Sequence, residues 1–268
     1  MIKIPEIKYR QHPAVSRSEL WKLKDSPKKF RYAKDNPEGP TPALLFGQVF
    51  HKLALEPETF GNEFAVAPVC DRRTKAGKEL MAAFELDNLG KTVVTNDMYE
   101  QAAAMCRSLM DEPLAVKLLT GEKEVSFFWT DEKTGEECKC RADCLNTSLS
   151  PPVVVDLKST EDASTAKFMR HAVDFGYDFQ AAMYSEGVER SIQQKPLFVF
   201  IAVEKKPPYA VNILQADDKF ILRGQRIHRE LLDTYHDCKV TSNWYGYLGK
   251  DNLINCLALP AWAAREME

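Results

Sequence analysis

A chain of 268 residues with 44% hydrophobic and 10% aromatic side chains can bury a sizeable core, and its length fits one elaborate domain over residues 1–268. Its 36 basic and 39 acidic residues leave a net charge of −3, which excludes a polycation that coats nucleic acid with its whole surface. The longest apolar runs, such as Leu197 to Val203, fall far short of the roughly 20 residues a membrane span needs.

The N-terminus also lacks an apolar signal core, so a soluble, cytoplasmic protein with no membrane partner is expected. Seven scattered cysteines agree with reduced thiols in such a compartment. Cys138, Cys140 and Cys144 form a local cluster, but their spacing matches no ordinary zinc knuckle and suits plain strand cysteines.

Pro5 and Pro13 predict an extended arm over residues 1–15. Ser16-Arg17-Ser18-Glu19 is a capping box, in which hydroxyl and carboxylate satisfy each other's free backbone donors, so a short helix follows through Leu23. Pro27 restarts a helix anchored by Phe30 and Tyr32 and broken at Pro37-Glu38-Gly39-Pro40. From Pro42 to about Leu55, Leu44, Leu45, Val49 and Leu53 recur at helical spacing, with His51 on the same helix. Residues 61–95 predict loop with one helix. Thr95 or Asn96 then caps a helix through Met98, Ala102, Met105 and Leu109, continuing past Pro113 to Val116 and Leu119.

A block of strands follows this mainly helical part, residues 1–120. Residues 124–129 are rich in β-formers, residues 131–135 have turn chemistry, and Cys138 to Leu145 returns as a second strand. After a proline-containing link comes Val153-Val154-Val155-Asp156-Leu157-Lys158, whose three valines predict a strand buried on both faces at the centre of a sheet. Helices are expected around 163–173 and 178–192 with Gly176 as the joint, then a hairpin of 197–203 and 209–214 around Pro207-Pro208. Residues 121–215 thus form a sheet with helices. A long amphipathic helix over about 218–237 and a tail whose aromatics suit an interface complete residues 216–268.

Alternation places Asp156 and Lys158 on one face of their strand, with Leu157 pointing the other way. If 138–145 and 153–158 pair antiparallel, a symmetric register sets Asp143 opposite Val155, within a residue of Asp156. Two carboxylates converging beside a lysine repel each other unless a cation lies between them, and hard oxygen ligands suit magnesium or manganese. Gln180 and Tyr184, four apart on a helix, share a face that can point at the same place. Two basic stretches, from Lys22 to Lys34 and from Arg72 to Lys78, either touch phosphate or form solvated faces.

Taken in order, Gly47-Gln48-Val49-Phe50-His51, Glu124, Arg141-Ala142-Asp143, Asp156-Leu157-Lys158 and Gln180 to Tyr184 resemble the PD-(D/E)XK nucleases, specifically their RecB-like branch and the RecE-type recombination exonucleases within it. The resemblance covers nearly the whole chain. It implies an α/β fold with a restriction-endonuclease-like core, a central mixed sheet flanked by helices. It further implies that His51, Asp143, Asp156 and the backbone carbonyl of Leu157 hold Mg2+, with Mn2+ able to substitute. Glu124 would assist, Lys158 would orient or deprotonate the attacking water, and Gln180 and Tyr184 would position the lysine, the water or the phosphate.

Two features depart from the pattern. Pro151 and Pro152 lie too far upstream to fill the proline place before the first strand acid, and Ser26 stands where iron–sulfur relatives carry a cysteine, so no such cluster is expected. For function, the resemblance implies 5′ to 3′ degradation of linear double-stranded DNA by a ring-shaped homo-oligomer, a tetramer, leaving 3′ single strands for an annealing protein. The competing readings are a structure-specific endonuclease or resolvase on the same fold, and a non-catalytic DNA-binding scaffold.

Overall fold

The structure is a computed structural model that describes residues 1–259. The N-terminal arm is not wholly extended as expected: Pro5 and Pro13 bracket a short helix, α1 (Glu6–Gln11), before the two-residue strand β1 (Val15–Ser16). The capping box then opens α2 (Arg17–Leu23), with the Ser16 hydroxyl accepting from Glu19 N and the Glu19 carboxylate accepting from Ser16 N at 2.9 Å. Two more helices start alike, on a hydroxyl cap followed by proline: α3 (Pro27–Asp35) on Ser26 and α4 (Pro42–Leu55) on Thr41.

Residues 61–95 contain more order than loop and one helix. A 3-10 turn (Pro57–Thr59) and α5 (Phe60–Glu63) lead into β2 (Phe64–Val66), and α6 (Lys75–Asp87) connects it to β3 (Thr92–Val94), which lies parallel to β2. Thr95 caps α7 (Asn96–Met110). The helix expected to run on past Pro113 breaks instead, because proline removes a backbone donor, and restarts as α8 (Pro113–Leu118).

The main sheet contains β4 (Glu122–Thr130), β5 (Glu137–Asn146), β6 (Val153–Thr160), β7 (Leu197–Glu204) and β8 (Val211–Gln215) together with β1. Its order is β1-β5-β6-β7-β8, with β4 on the other edge of β5. Between β6 and β7 run α9 (Thr165–Asp174) and α10 (Tyr177–Ile192), the crossover that a parallel β6–β7 pair requires. Chain entry into α10 depends on Gly176, at φ +66°, where a Cβ would lie 2.3 Å from the Trp21 ring. The long helix α11 (Asp218–Thr241) packs on α10.

Residues Val153 to Leu157 are all buried, as the valine run predicted, since one sheet face is covered by α4, α7 and α8 and the other by α9 and α10. Each such aliphatic side chain contributes roughly 1.5–3 kcal/mol on burial. A third cluster joins α2, α3, α10 and α11 through Leu20, Phe30, Phe179 and Leu232. Trp244 closes that cluster, stacking on Phe30 at 5.3 Å, so this aromatic of the tail docks onto the domain rather than standing free. Tyr247 is exposed as expected, and residues 260–268 of the tail lie outside the described residues.

The β5–β6 register differs by one residue from the symmetric expectation. Cys144 pairs with Val155 and Asn146 with Val153, because the closing loop has six residues, 147–152, rather than seven. Asp143 therefore falls opposite Asp156, and pairing stops there: β6 diverges from β5 past Val155. Further along the same edge of β5, β1 takes the place of β6, with Val15 beside Cys138 and Ser16 beside Lys139. The sheet thus forks, and a piece of the N-terminal segment wedges the fork open.

Candidate active site

Asp143 and Glu124 occupy the one irregular position of the β4–β5 ladder. Lys123 pairs with Cys144 and Val125 with Ala142, but Glu124 between them adopts φ +51°. A left-handed conformation at a residue other than glycine costs about 1–3 kcal/mol and persists only where the surroundings impose it. The alternation of β5 slips at the same point, since Cys140 and Ala142 pack toward α10 whereas Cys144 packs toward α4. Both distortions turn carboxylates into the fork.

There His51, from α4, approaches Asp143 at 3.5 Å between Nδ1 and Oδ2. The same Asp143 oxygen accepts a hydrogen bond of 2.7 Å from Leu157 N, a donor freed by the divergence of β6. Because the N–H and C=O of one strand residue point to the same side, the Leu157 carbonyl is directed toward the fork as well. His51, Glu124 and Asp143 form a group whose ligand atoms all lie within 4.8 Å of one another. Asp156 is not in that group. Its carboxylate is held by the Gln180 amide, which donates to Oδ1, and by an ion pair with Lys158.

Electrostatics follow from this crowding. Burial opposes charge on His51, but Asp143 outweighs it and holds the imidazole up at about 9. For Glu124, burial and then the neighbouring Asp143 push the carboxyl up to about 8. Burial raises Asp156 in the same sense, whereas Asp143 is held below the ordinary carboxylate range because His51 and Lys158 outweigh its burial. Lys158 stays charged: burial works against it, yet Asp156 prevails, and its ammonium lies 4.9 Å over the Tyr177 ring. Burial holds the half-buried Tyr184 phenol well above its usual value, so it remains a proton donor.

These residues line a cleft of about 1390 Å3. His51, Glu124, Asp143, Leu157, Lys158, Gln180 and Tyr184 all reach its wall, while Asp156 lies buried just behind. Of the basic stretches singled out in the sequence, Lys22 and Lys34 border the cleft, and Arg72 to Lys78 do not. Its other basic residues come from elsewhere. Lys139 and Arg141 alternate with Asp143 along β5, a spacing legible in the sequence, and Arg17 follows β1. The arm crosses this basic track: Lys139 Nζ donates to the carbonyls of Tyr9 and His12 at 2.9 and 2.7 Å, and Arg141 pairs with Glu6.

Two crowded carboxylates and an adjacent carbonyl supply hard oxygen ligands, and one imidazole a borderline nitrogen, a set suited to a divalent cation. A buried Asp156 Oδ2 that lacks a hydrogen-bond donor beyond its ion pair fits the same reading. A cation between His51, Glu124 and Asp143 would relieve the repulsion that lifts Glu124.

The chain belongs to the family described as PDDEXK-like domain of unknown function (DUF3799), which it matches over residues 16–255. It therefore has the α/β fold of PDDEXK-like nucleases, with the mixed sheet and flanking helices described above. Among solved structures it is similar to the "Putative exonuclease" from Eubacterium rectale, with a TM-score of 0.65, 14% identity and 98% of each chain covered, a likeness of fold. A second structure, that of SSO0001, aligns at a TM-score of 0.37 and 10% identity over 85% of this chain and 81% of the other. No curated protein matches the sequence. Among the described residues no helix is long and apolar enough to cross a membrane.

Proposed function

We propose that this chain is a magnesium-dependent deoxyribonuclease that degrades linear double-stranded DNA, with manganese able to substitute. The observation that carries the reading is the meeting, in one basic cleft, of His51, Glu124 and Asp143 with the Asp156–Lys158 pair. His51, Asp143, Glu124 and the Leu157 carbonyl would hold the ion, with Asp156 at its border. When bound, such an ion supplies an acidified water and stabilises charge on the phosphate oxygens.

The protein's own groups account for the remaining requirements. Lys158, fixed between Asp156 and the Tyr177 ring, points an ammonium at the attacking water or at a non-bridging oxygen and offsets charge as it develops. Gln180 holds Asp156 in the rotamer that keeps Lys158 in place. Tyr184, one helical turn on, offers its phenolic proton to the phosphate or to the water. Lys22, Lys34 and Lys139 gather positive charge along the cleft, which would let a chain of net charge −3 hold a polyanion.

The finer reading is a 5′ to 3′ exonuclease whose subunits form a ring around the duplex and leave 3′ strands for a single-strand annealing protein. Support comes from the ordered motif and from a structural neighbour whose description reads "Putative exonuclease". The test compares 5′-labelled linear duplex, 3′-labelled linear duplex and closed circles in Mg2+, with Asp156→Ala as control. Early release of the 5′ label with circles intact is expected. Cutting of circles would favour an endonuclease or resolvase, and cleavage surviving in purified Asp156→Ala protein would remove the site assignment.

A further inference from the structure

Arg17 is the first residue of α2, delivered into the fork by β1, and it lines the cleft. Its Nη2 donates to the carbonyls of Phe175 and, at 2.9 Å, Gly176, at the joint between α9 and α10. The guanidinium lies 5.2 Å from the Trp21 ring centre and 5.8 Å from that of Phe179, so its plane is fixed. Its Nε is buried without a hydrogen-bond partner.

No carboxylate neutralises this cation among the described residues. The nearby acids are already taken: Asp156 by Lys158 and Gln180, and Asp178 by Arg223. With Nη2 held by two carbonyls and Nε enclosed, no hydrogen bond occupies Nη1 among the described residues, and a charged donor of this kind suits a phosphate oxygen. Lys158 rests on the Tyr177 ring while Arg17 grips the peptide just before Tyr177, so the two cations flank one residue on the cleft wall.

We propose that Arg17 binds a phosphate of the DNA strand being cut, next to the phosphate that Lys158 serves, and so sets which bond enters the site. This inference rests on the nuclease reading above. Arg17 touches substrate; it neither holds the metal nor moves a proton.

The test measures single-turnover cleavage in Mg2+ on linear duplexes in which one phosphate at a time, in a scan from the end, is a neutral methylphosphonate. Duplexes with and without a terminal phosphate are run beside them. For the unaltered protein one phosphate is expected to be sensitive, losing about 10- to 100-fold, equivalent to about 1.4–2.7 kcal/mol. Arg17→Gln loses a similar factor on ordinary DNA and nothing further at that phosphate, while Arg17→Lys recovers part of the rate. If the sensitive group is the terminal phosphate, Arg17 grips the strand end; if internal, it grips the backbone.

A merely structural Arg17, holding the α9–α10 joint, would instead slow every substrate by the same factor, so that the two losses multiply. That multiplication, or a scan with no sensitive phosphate, would overturn the proposal. Failure of the unaltered protein to cut any duplex would count against the nuclease reading itself, a different and recognisable result.

Discussion

Gly224→Ala is the most informative single substitution for the scaffold that aims Gln180 at Asp156. In an exposed helix, alanine would stabilise α11 by about 1 kcal/mol through lower backbone entropy in the unfolded chain. Here the added Cβ would sit 1.9 Å from the Asp178 carbonyl oxygen and 2.9 Å from the Ala182 Cβ on α10. A helical carbonyl cannot rotate aside, so α11 must back away, and overpacking of this kind costs typically about 1–3 kcal/mol. The retreat also pulls Arg223 from the fully buried Asp178. Arg223 is itself about half exposed, so stretching the pair loses only a small part of the roughly 3–5 kcal/mol that breaking a fully buried pair costs. The net expectation is destabilisation of roughly 2–3 kcal/mol, read as a Tm drop of roughly 4–12 °C for a chain of this size. Thermal melts and urea titrations with unchanged slope would measure it. Gly47→Ala is the control, since its Cβ meets nothing within 4 Å on α4, and it should gain up to about 1 kcal/mol. A Gly224→Ala protein as stable as the parent would refute the reasoning about the α10–α11 contact.

Lys158→Ala should reduce cleavage by about 10²- to 10⁴-fold while binding of duplex in Ca2+ changes little, checked by single-turnover kinetics and by fluorescence anisotropy. Glu124→Gln and Asp143→Asn should each weaken Mn2+ binding without DNA by at least about tenfold, measured by titration calorimetry. Undisturbed binding in Glu124→Gln would return Glu124 to an indirect role. Stability should also fall in acid through Glu136, whose burial is outweighed by hydrogen bonds from Lys239 and His236, leaving its carboxyl below the ordinary value near 4.5. A lowered folded-state value contributes stability that is complete above 4.5 and is lost as pH falls through the lower folded value. Melts from pH 6 down to 3 should therefore show a shallower acid decline for Glu136→Gln than for the parent protein.

Where signals were local, the sequence was legible. The Ser16 capping box, the proline starts of α3 and α4, the valine strand and the Gly176 joint each depend on residues a few positions apart. Elements β2 and β3 leave no sequence signal because three residues are too few for a period-2 pattern and their pairing spans α6. The fork is illegible for a related reason: β1 is two residues long and its partner lies on the far side of the helical half. Arg17 consequently carried no local mark of its place in the cleft. The assisting role of Glu124 is what the family resemblance implies, and its left-handed backbone is not legible in a β-forming segment. Asp143 was placed near Asp156 from almost any register, which is why a one-residue slip left the site intact.

The β1 wedge has a bearing on how the protein comes into being. Val15 and Ser16 meet Cys138 and Lys139 across more than a hundred residues of chain, and contacts so distant in sequence form late, after the loop-closure entropy has been met by nearer pairings. The segment that carries β1 is thus among the last to dock. A chain in which this segment is undocked would lack, at the cleft, both Arg17 and the strand that occupies the fork. Under the proposed nuclease reading, hydrolytic competence is in this way tied to the docking of the β1 segment onto β5.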